Sequence, residues 1–317
     1  MLKMVWLDTA KTPKKLVAQL EDNLRKFGEL ASYPDTNPNK IVERALDAEI
    51  ILVNKVVVGA EQLQRLPKLK YIIVIATGYD NVDVNGANKL GIFVSNIPDY
   101  STLTVAQHTI ALLLELSNQV GRVNHNLKTT HKWLGGGHNI LELSKLTLGV
   151  FGFGQIAQTV VKIAAALGMK IIVTSGKNNY KTDLPVSFVD LDTIYNASDV
   201  ISLHCPLNSQ TRHLINANTL RLMKPTAFLI NTARGGLVNE ADLYTALLNK
   251  TIQGAALDVL NIEPPEPKNP LFNLDNCIIT PHNAWLSDAA LSRWLNIINN
   301  SMLGYLNGNL INLISSK

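Results

Sequence analysis

The sequence contains only two cysteines, Cys205 and Cys277, among its 317 residues. Two cysteines cannot build a disulfide framework, so the composition predicts free thiols and a reducing compartment such as the cytoplasm. The first residues include the acidic Asp8 and lack the apolar core of a signal peptide. Apolar runs of about 18 residues, the length that a membrane span requires, are also missing. We therefore expect a cytoplasmic protein without a membrane partner.

Charged residues are scarce as well. They make up 17% of the chain, whereas an average protein has about 25%. The net charge of +4 comes from 29 basic and 25 acidic residues, and the basic residues form no dense block. A nucleic-acid partner is therefore not expected. The histidines lack metal-ligand spacing with cysteines or acids, so no metal site is expected either.

Apolar residues, by contrast, are plentiful, at 46% of the chain. Short apolar runs alternate with amphipathic stretches, and this alternation predicts βαβ units and parallel sheets. A single apolar helix is predicted over residues 104–124, between two such series. The predicted strands cover residues 4–7, 50–53, 71–76, 92–94, 148–151, 170–174, 200–204, 227–231, 254–259 and 277–280.

This pattern predicts an α/β protein with two doubly wound, parallel-sheet (Rossmann-like) domains. A helical tail follows the second series, and we expect it to pack back on the first domain, which is then discontinuous. The predicted domains are residues 1–100 together with 287–317, and residues 101–286. Two such lobes are expected to leave a cleft between them, and clefts of this kind commonly bind ligands.

A glycine-rich turn follows the strand predicted at residues 148–151. Its pattern is Gly152-x-Gly154-x-x-Ala157, and a helix begins near Gln155 and Ile156. The first glycine permits a tight turn, and the second lets the backbone approach a pyrophosphate. The helix start adds free N–H groups and a positive dipole end. We favour a dinucleotide site over a plain strand–helix turn.

The cofactor can be NAD or NADP. An acid about 20 residues after the glycine turn holds the ribose of NAD, but Ser175 stands there and Lys177 follows shortly after. Because neither residue repels a 2′-phosphate, the sequence favours tolerance of NADP slightly. The alternative is that Lys177 is a solvated loop charge and that Ser175 still bonds the ribose.

Three later strands are each followed by charged or ionisable residues. Arg234 comes after the first of them, and Asp258 and Glu263 come at or after the end of the next. His282 follows the third. The carboxyl ends of parallel strands share one edge of a sheet, which is where ligands bind.

These residues carry a resemblance to a known family. The segments Asn231-Thr232-Ala233-Arg234, Glu263-Pro264-Pro265 and Pro281-His282, with the glycine turn, resemble the D-isomer-specific 2-hydroxyacid dehydrogenases over nearly the whole chain. Residues 76–83 resemble the substrate loop of that family. Residues 281–285 are most similar to its glycerate dehydrogenase (hydroxypyruvate reductase) branch.

The reduction of a 2-keto acid needs a hydride on the carbonyl carbon and a proton on its oxygen. A nicotinamide supplies the hydride. His282 can supply the proton, because imidazole titrates near neutral pH. Glu263 can bond the other ring nitrogen and favour the protonated ring. Arg234 offers paired donors to the substrate carboxylate and carbonyl oxygen.

The resemblance implies further roles. Residues 1–100 with 287–317 would form a flavodoxin-like substrate-binding domain, and residues 101–286 the dinucleotide-binding domain. Substrate contacts are expected from Thr77, Gly78, Arg234 and Trp285, although Trp285 can equally be a core residue. Cofactor contacts are expected from Gly152, Gly154, Gln155, Ile156, Ser175, Lys177, His204, Pro206, Thr232, Arg234, Asp258 and His282. The resemblance also implies a homodimer, formed through the helix at residues 104–124.

The expected activity is reduction of hydroxypyruvate or glyoxylate to D-glycerate or glycolate with NADH or NADPH. A D-lactate-type or phosphoglycerate dehydrogenase is the alternative within the same chemistry. A dinucleotide-sensing, corepressor-like binding protein is an alternative of another class, since such relatives can keep the arginine, acid and histidine. Turnover of a 2-keto acid distinguishes the two classes.

Overall fold

The computed structural model describes residues 1–133, 140–176 and 180–314. The chain divides into two compact units, one formed by Met1–Ser101 with Leu286–Lys317 and the other by Thr102–Trp285. Each unit contains one sheet in which all strand pairs are parallel. The predicted class, two α/β domains with parallel sheets, is confirmed.

Twelve strands and eleven α-helices are present in the described residues. The strands are β1 Leu2–Trp6, β2 Gly28–Ser32, β3 Ile50–Val53, β4 Tyr71–Val74, β5 Phe93–Asn96, β6 Thr147–Phe151, β7 Lys170–Thr174, β8 Val186–Phe188, β9 Val200–Leu203, β10 Phe228–Asn231, β11 Gly254–Leu257 and β12 Cys277–Ile279. The helices are α1 Lys14–Arg25, α2 Ile41–Ala45, α3 Ala60–Gln64, α4 Val84–Lys89, α5 Thr102–Asn118, α6 Val120–Thr130, α7 Gln155–Ala166, α8 Leu191–Ala197, α9 Ala217–Leu222, α10 Glu240–Leu248 and α11 Asp288–Leu306.

The first unit is built on a five-stranded sheet of order β2-β1-β3-β4-β5. Its central strands β3 and β4 are buried at every position, as expected for a parallel sheet covered on both faces. The C-terminal helix α11 belongs to this unit, because it buries an apolar stripe at four-residue spacing that includes Trp294 and Ile298. The Trp294 indole donates to the carbonyl of Ile75 at 2.7 Å.

The second unit has a seven-stranded sheet of order β12-β11-β10-β9-β6-β7-β8. The chain runs outward from β6 through β7 to β8, and then restarts at β9 on the other side of β6. The strand order therefore reverses between β6 and β9. In open α/β sheets, ligands bind at the carboxyl ends of the strands that flank such a reversal.

The helix predicted over residues 104–124 is wrong as a single element. The structure has two helices, α5 and α6, separated by Gln119 in the left-handed region with φ of 53°. The Glu115 carboxylate accepts hydrogen bonds from the Gly121 N–H at 3.0 and 3.1 Å. A carboxylate at the start of a helix satisfies its free N–H groups, so α6 begins as a new helix there.

No helix in the described residues has both the length and the apolar character needed to cross a membrane.

Candidate active site

The glycine turn after β6 has the geometry of a phosphate-binding turn. Gly152 has φ of 88°, and a Cβ there would lie 2.7 Å from the carbonyl oxygen of His204. Only glycine fits this position, because both the backbone conformation and the space exclude a side chain. Gly154 differs, since a Cβ there would meet nothing within 4 Å. The backbone at Gly154 therefore faces open space.

The start of α7 lies directly behind that space. Gly154 is the residue that precedes the helix, and no side chain caps the helix start. Gly154 and Gln155 are exposed, and Ile156 is half-buried. Uncapped N–H groups and the positive end of a 12-residue helix suit a diphosphate. The residues present therefore fit the pyrophosphate of a dinucleotide.

A hydroxyl pair lies at the carboxyl end of β7, where the ribose is expected. The Ser175 Oγ donates to the Tyr180 Oη at 3.3 Å. The Tyr180 ring stacks on Phe188, with centroids 5.8 Å apart, and both rings pack edge-on against Phe153 of the glycine turn. Lys177 lies outside the described residues.

His204 and Pro206 follow β9, across the strand-order reversal from the glycine turn. The His204 Nε2 lies 2.8 Å from the Ser202 Oγ, and burial lowers the pKa of His204 to about 4. This ring is neutral at pH 7. Pro206 is exposed, and its carbonyl accepts from the Thr211 hydroxyl at 2.6 Å. Burial raises the pKa of the Cys205 thiol to about 11, so no thiolate forms there.

The loop that carries Arg234 is fixed by the last residue of β10. Asn231 is fully buried; its amide donates to the Arg234 carbonyl at 2.9 Å and accepts from the Ala233 N–H at 3.0 Å. A Cβ on Gly235 would collide with the backbone of Leu260, so glycine is required for this loop to lie against the chain after β11. That packing brings the arginine loop to the loop that contains the acid.

Glu263 and His282 form the predicted acid–histidine pair. The Glu263 Oε2 lies 2.5 Å from the His282 Nδ1, and its Oε1 accepts from the Leu260 N–H at 3.1 Å. A carboxylate accepts only, so Nδ1 carries a proton and Nε2 is the ring nitrogen that can exchange one with a reactant. The His282 side chain is about one quarter exposed, at 26%. The Trp285 indole donates to the His282 carbonyl at 2.9 Å.

Asp258 holds the turn on which His282 sits. Its side chain is 1% exposed, and its carboxylate accepts from the N–H groups of Asn283 and Ala284 at 3.0 Å each. The Thr280 hydroxyl donates to it at 2.6 Å, and the His282 N–H donates to its carbonyl at 2.8 Å. These contacts organise the turn; the predicted contact of Asp258 with the nicotinamide carboxamide stays a prediction.

Two contacts of α5 with this region were not predicted from the sequence. The His108 Nε2 lies 3.0 Å from the Thr280 Oγ1 and 3.6 Å from the Asp258 carboxylate. The Thr109 Oγ1 lies 2.9 Å from the Thr232 Oγ1, which fixes a residue expected to contact the cofactor. The available signal was the polar run Gln107-His108-Thr109 in a largely apolar helix, but such a run does not identify the partners of its side chains.

Thr77 and Gly78 lie in the first unit, after β4. The Thr77 hydroxyl donates to the Ile97 carbonyl at 3.1 Å, and the Asn96 amide donates to the Thr77 carbonyl at 2.7 Å. Thr77 is exposed and Gly78 is half-buried. The loop is thus held against the end of β5, and the substrate role of both residues stays a prediction. Separately, the described residues contain no cluster of three or more His, Cys, Asp or Glu side chains suited to a metal ion.

Comparisons with known proteins identify relatives of this chain. Residues 110–284 match the family model described as D-isomer specific 2-hydroxyacid dehydrogenase, NAD binding domain. The chain is 36% identical over 301 residues to a hydroxypyruvate reductase of Blautia hydrogenotrophica, covering 92% of this chain and 94% of that protein. It is 41% identical over 285 residues to a glycerate dehydrogenase of Methylorubrum extorquens, covering 86% and 88%. A solved acyclic imino acid reductase in complex with NADPH and D-Arg is similar in structure, with a TM-score of 0.90, 32% identity, and coverage of 99% of this chain and 100% of that chain.

Proposed function

Since the chain belongs to the D-isomer-specific 2-hydroxyacid dehydrogenase family, we propose that it reduces hydroxypyruvate and glyoxylate, with His282 as the acid. Membership makes it an NAD(P)-dependent oxidoreductase that interconverts 2-keto and 2-hydroxy acids. The Glu263–His282 pair, at 2.5 Å, is the observation that carries the proposed role of His282. The substrate preference follows the relatives named for hydroxypyruvate and glycerate.

Each side chain has a distinct part in the proposed reaction. A bound nicotinamide supplies the hydride. The His282 Nε2 donates a proton to the keto oxygen as the alkoxide charge develops. Glu263 keeps the proton on Nδ1 and stabilises the imidazolium until that donation. Arg234 binds the substrate carboxylate with its planar pair of donors. Trp285, bonded to the His282 carbonyl, shapes the pocket wall.

For the cofactor, we propose tolerance of NADP beside NAD. Ser175 and Tyr180 place hydroxyls, not carboxylates, at the end of β7, and neither side chain repels a 2′-phosphate. The NADPH complex of the similar imino acid reductase supports this proposal. The ratio of kcat/KM for NADPH and NADH tests it. A hundredfold advantage for NADH would overturn it.

We also propose that the protein is a homodimer that pairs through α6. This helix buries none of its 11 residues in the single chain. Val120 is 65% exposed on it, and Trp133, soon after its end, is 88% exposed. We take the large exposed apolar groups on α6 and just beyond its end as a contact surface, and the family resemblance identifies a second copy of the chain as the occupant.

A panel of 2-keto acids tests the proposed activity. The loss of NADH and NADPH absorbance is followed with hydroxypyruvate, glyoxylate, pyruvate and phosphohydroxypyruvate. We expect the highest kcat/KM with hydroxypyruvate or glyoxylate. A clear preference for pyruvate would favour the lactate-type activity. Tight cofactor binding with no turnover of any 2-keto acid would instead show that the protein is a dinucleotide-sensing binding protein.

A further inference from the structure

We infer that His108 is a positioning residue for His282, acting through Thr280 and Asp258. This inference rests on the proposed role of His282 as the acid. His108 lies on α5, at a distance of 172 residues along the chain from Thr280. We propose no proton exchange between His108 and the substrate. The part of His108 is to hold the turn that presents the acid.

The direction of each hydrogen bond follows from the chemistry of the groups. The Thr280 hydroxyl has one hydrogen and lies 2.6 Å from the Asp258 Oδ1, which accepts only. Thr280 therefore donates to Asp258 and must accept from His108. The 3.0 Å contact between Thr280 and His108 thus requires a proton on the His108 Nε2. Two hydrogen bonds, with Thr280 between them, thus link His108 on α5 to the buried Asp258 carboxylate; we call them the relay.

The carboxylate at the end of that relay builds the turn. Asp258 is 1% exposed, and a buried charge is tolerated only when donors surround it. Two of its donors are the N–H groups that follow His282, at Asn283 and Ala284. Any shift of the carboxylate therefore moves the backbone that carries the acid.

The turn needs this support because its backbone is strained. His282 has φ of 52°, in the left-handed region that residues other than glycine rarely adopt. Such a conformation persists where the surrounding contacts enforce it. α5 is a firm support, because eight of its 17 residues are buried. The relay thus ties a strained turn to a well-packed helix.

Paired substitutions at both positions test the inference. His108→Leu and Thr280→Val each remove a hydrogen-bonding group with little change in volume. His108→Gln can keep a donor at the position of Nε2, and Thr280→Ser keeps the hydroxyl. We expect kcat to fall between about 10-fold and 10²-fold in His108→Leu and in Thr280→Val, because small misplacement of a catalytic group has effects of this size. We expect His108→Gln and Thr280→Ser to keep most of the wild-type kcat. The KM for NADH should change less than twofold in each of the four variants.

The decisive measurement is the double variant with His282. In a His282→Ala background, His108→Leu should lower kcat no further, because it acts only through the acid. An equal additional loss in that background would show an independent, structural effect and overturn the inference. If His282→Ala is impaired but His108→Leu and Thr280→Val turn over like wild type, the inference fails and the proposed function stands. Wild-type turnover of His282→Ala itself would overturn the proposed function, and the inference with it.

Discussion

The Glu263 carboxylate controls where the His282 proton sits. Its Oε2 contacts Nδ1 at 2.5 Å, and a negative charge at this distance stabilises the imidazolium. Glu263→Gln keeps an oxygen that can accept from the ring but removes the charge. The reductive kcat/KM should then begin to fall at a lower pH than in wild type, because the charge that stabilises the protonated ring is gone.

A pH profile of kcat/KM for wild type, Glu263→Gln and Glu266→Gln measures this shift. Glu266 is an exposed acid on the same loop and serves as the matched control. Its variant should follow the wild-type profile. Superimposable profiles for Glu263→Gln and wild type would contradict the partnership of Glu263 with His282.

The two glycines of the turn after β6 should respond differently to a methyl group. A Cβ on Gly154 meets nothing within 4 Å in the protein itself, so Gly154→Ala should leave the thermal midpoint within a few degrees of wild type. The same methyl group occupies the space proposed for the pyrophosphate. The Kd for NADH should therefore rise about 10-fold or more, which is the loss of about 1.4 kcal/mol of binding energy.

Gly152→Ala is the comparison that makes this result specific. Its φ of 88° and the His204 carbonyl at 2.7 Å predict lower thermal stability as well as weaker cofactor binding. Unchanged affinity for NADH in Gly154→Ala, measured by fluorescence titration, would show that the turn does not bind the cofactor.

The sequence predicted the functional residues at the ends of strands, but not the residues that hold them in place. Arg234, Glu263 and His282 could be predicted because each follows a short apolar strand of a parallel sheet. His108 and Asn231 could not, because their contacts depend on the fold. His108 meets Thr280 only after α5 packs near the end of β12, and Asn231 bonds a loop whose path depends on Gly235.

Among the elements, the strands with apolar runs were predicted, and β2 and β8 were missed. β3 and β4 are buried at all four positions and are continuous apolar runs. β2 and β8 each form one edge of their sheet, and neither contains a buried residue. The opposite edges, β5 and β12, carry short apolar runs and were predicted. A strand that is partly exposed needs no apolar run, so composition does not distinguish it from a loop.

The separation of α5 from α6 has the same kind of cause. Apolar spacing continues across both helices, but Glu115 bonds the N–H of Gly121 and starts a second helix there. The two helices then differ in burial, since α5 buries eight residues and α6 buries none. A periodicity that runs through both elements does not reveal this change of surroundings.

The exposed side of α6 leads to a prediction about assembly. Val120→Glu combined with Val123→Glu places two charges on residues that are 65% and 36% exposed in the single chain. Burying charges without partners costs several kcal/mol, so the variant should be monomeric in light scattering while wild type has the mass of two chains. Val57→Glu, at a 59% exposed valine of the first unit, is the control and should stay dimeric. A monomeric wild type would contradict the proposal.

At the scale of the whole molecule, the pattern of the sequence predicted two α/β units with parallel sheets, because each unit repeats the same alternation of strands and helices. The groups proposed for the hydride and proton steps all lie in the unit Thr102–Trp285. The loop of Thr77 and Gly78 lies in the other unit, and its substrate role stays a prediction. That unit also includes α11 from the opposite end of the chain. The pocket shape that selects one 2-keto acid over another is set by packing, which spacing along a sequence does not encode.

We propose that His282 gives the proton that accompanies hydride transfer to a 2-keto acid. The most direct test is kcat for hydroxypyruvate reduction by His282→Ala, with NADH affinity and thermal midpoint measured on the same preparation. We expect kcat to fall by roughly 10² to 10⁴, while cofactor affinity and folding stay close to wild type. Wild-type turnover in this variant would contradict the role of His282 as the acid.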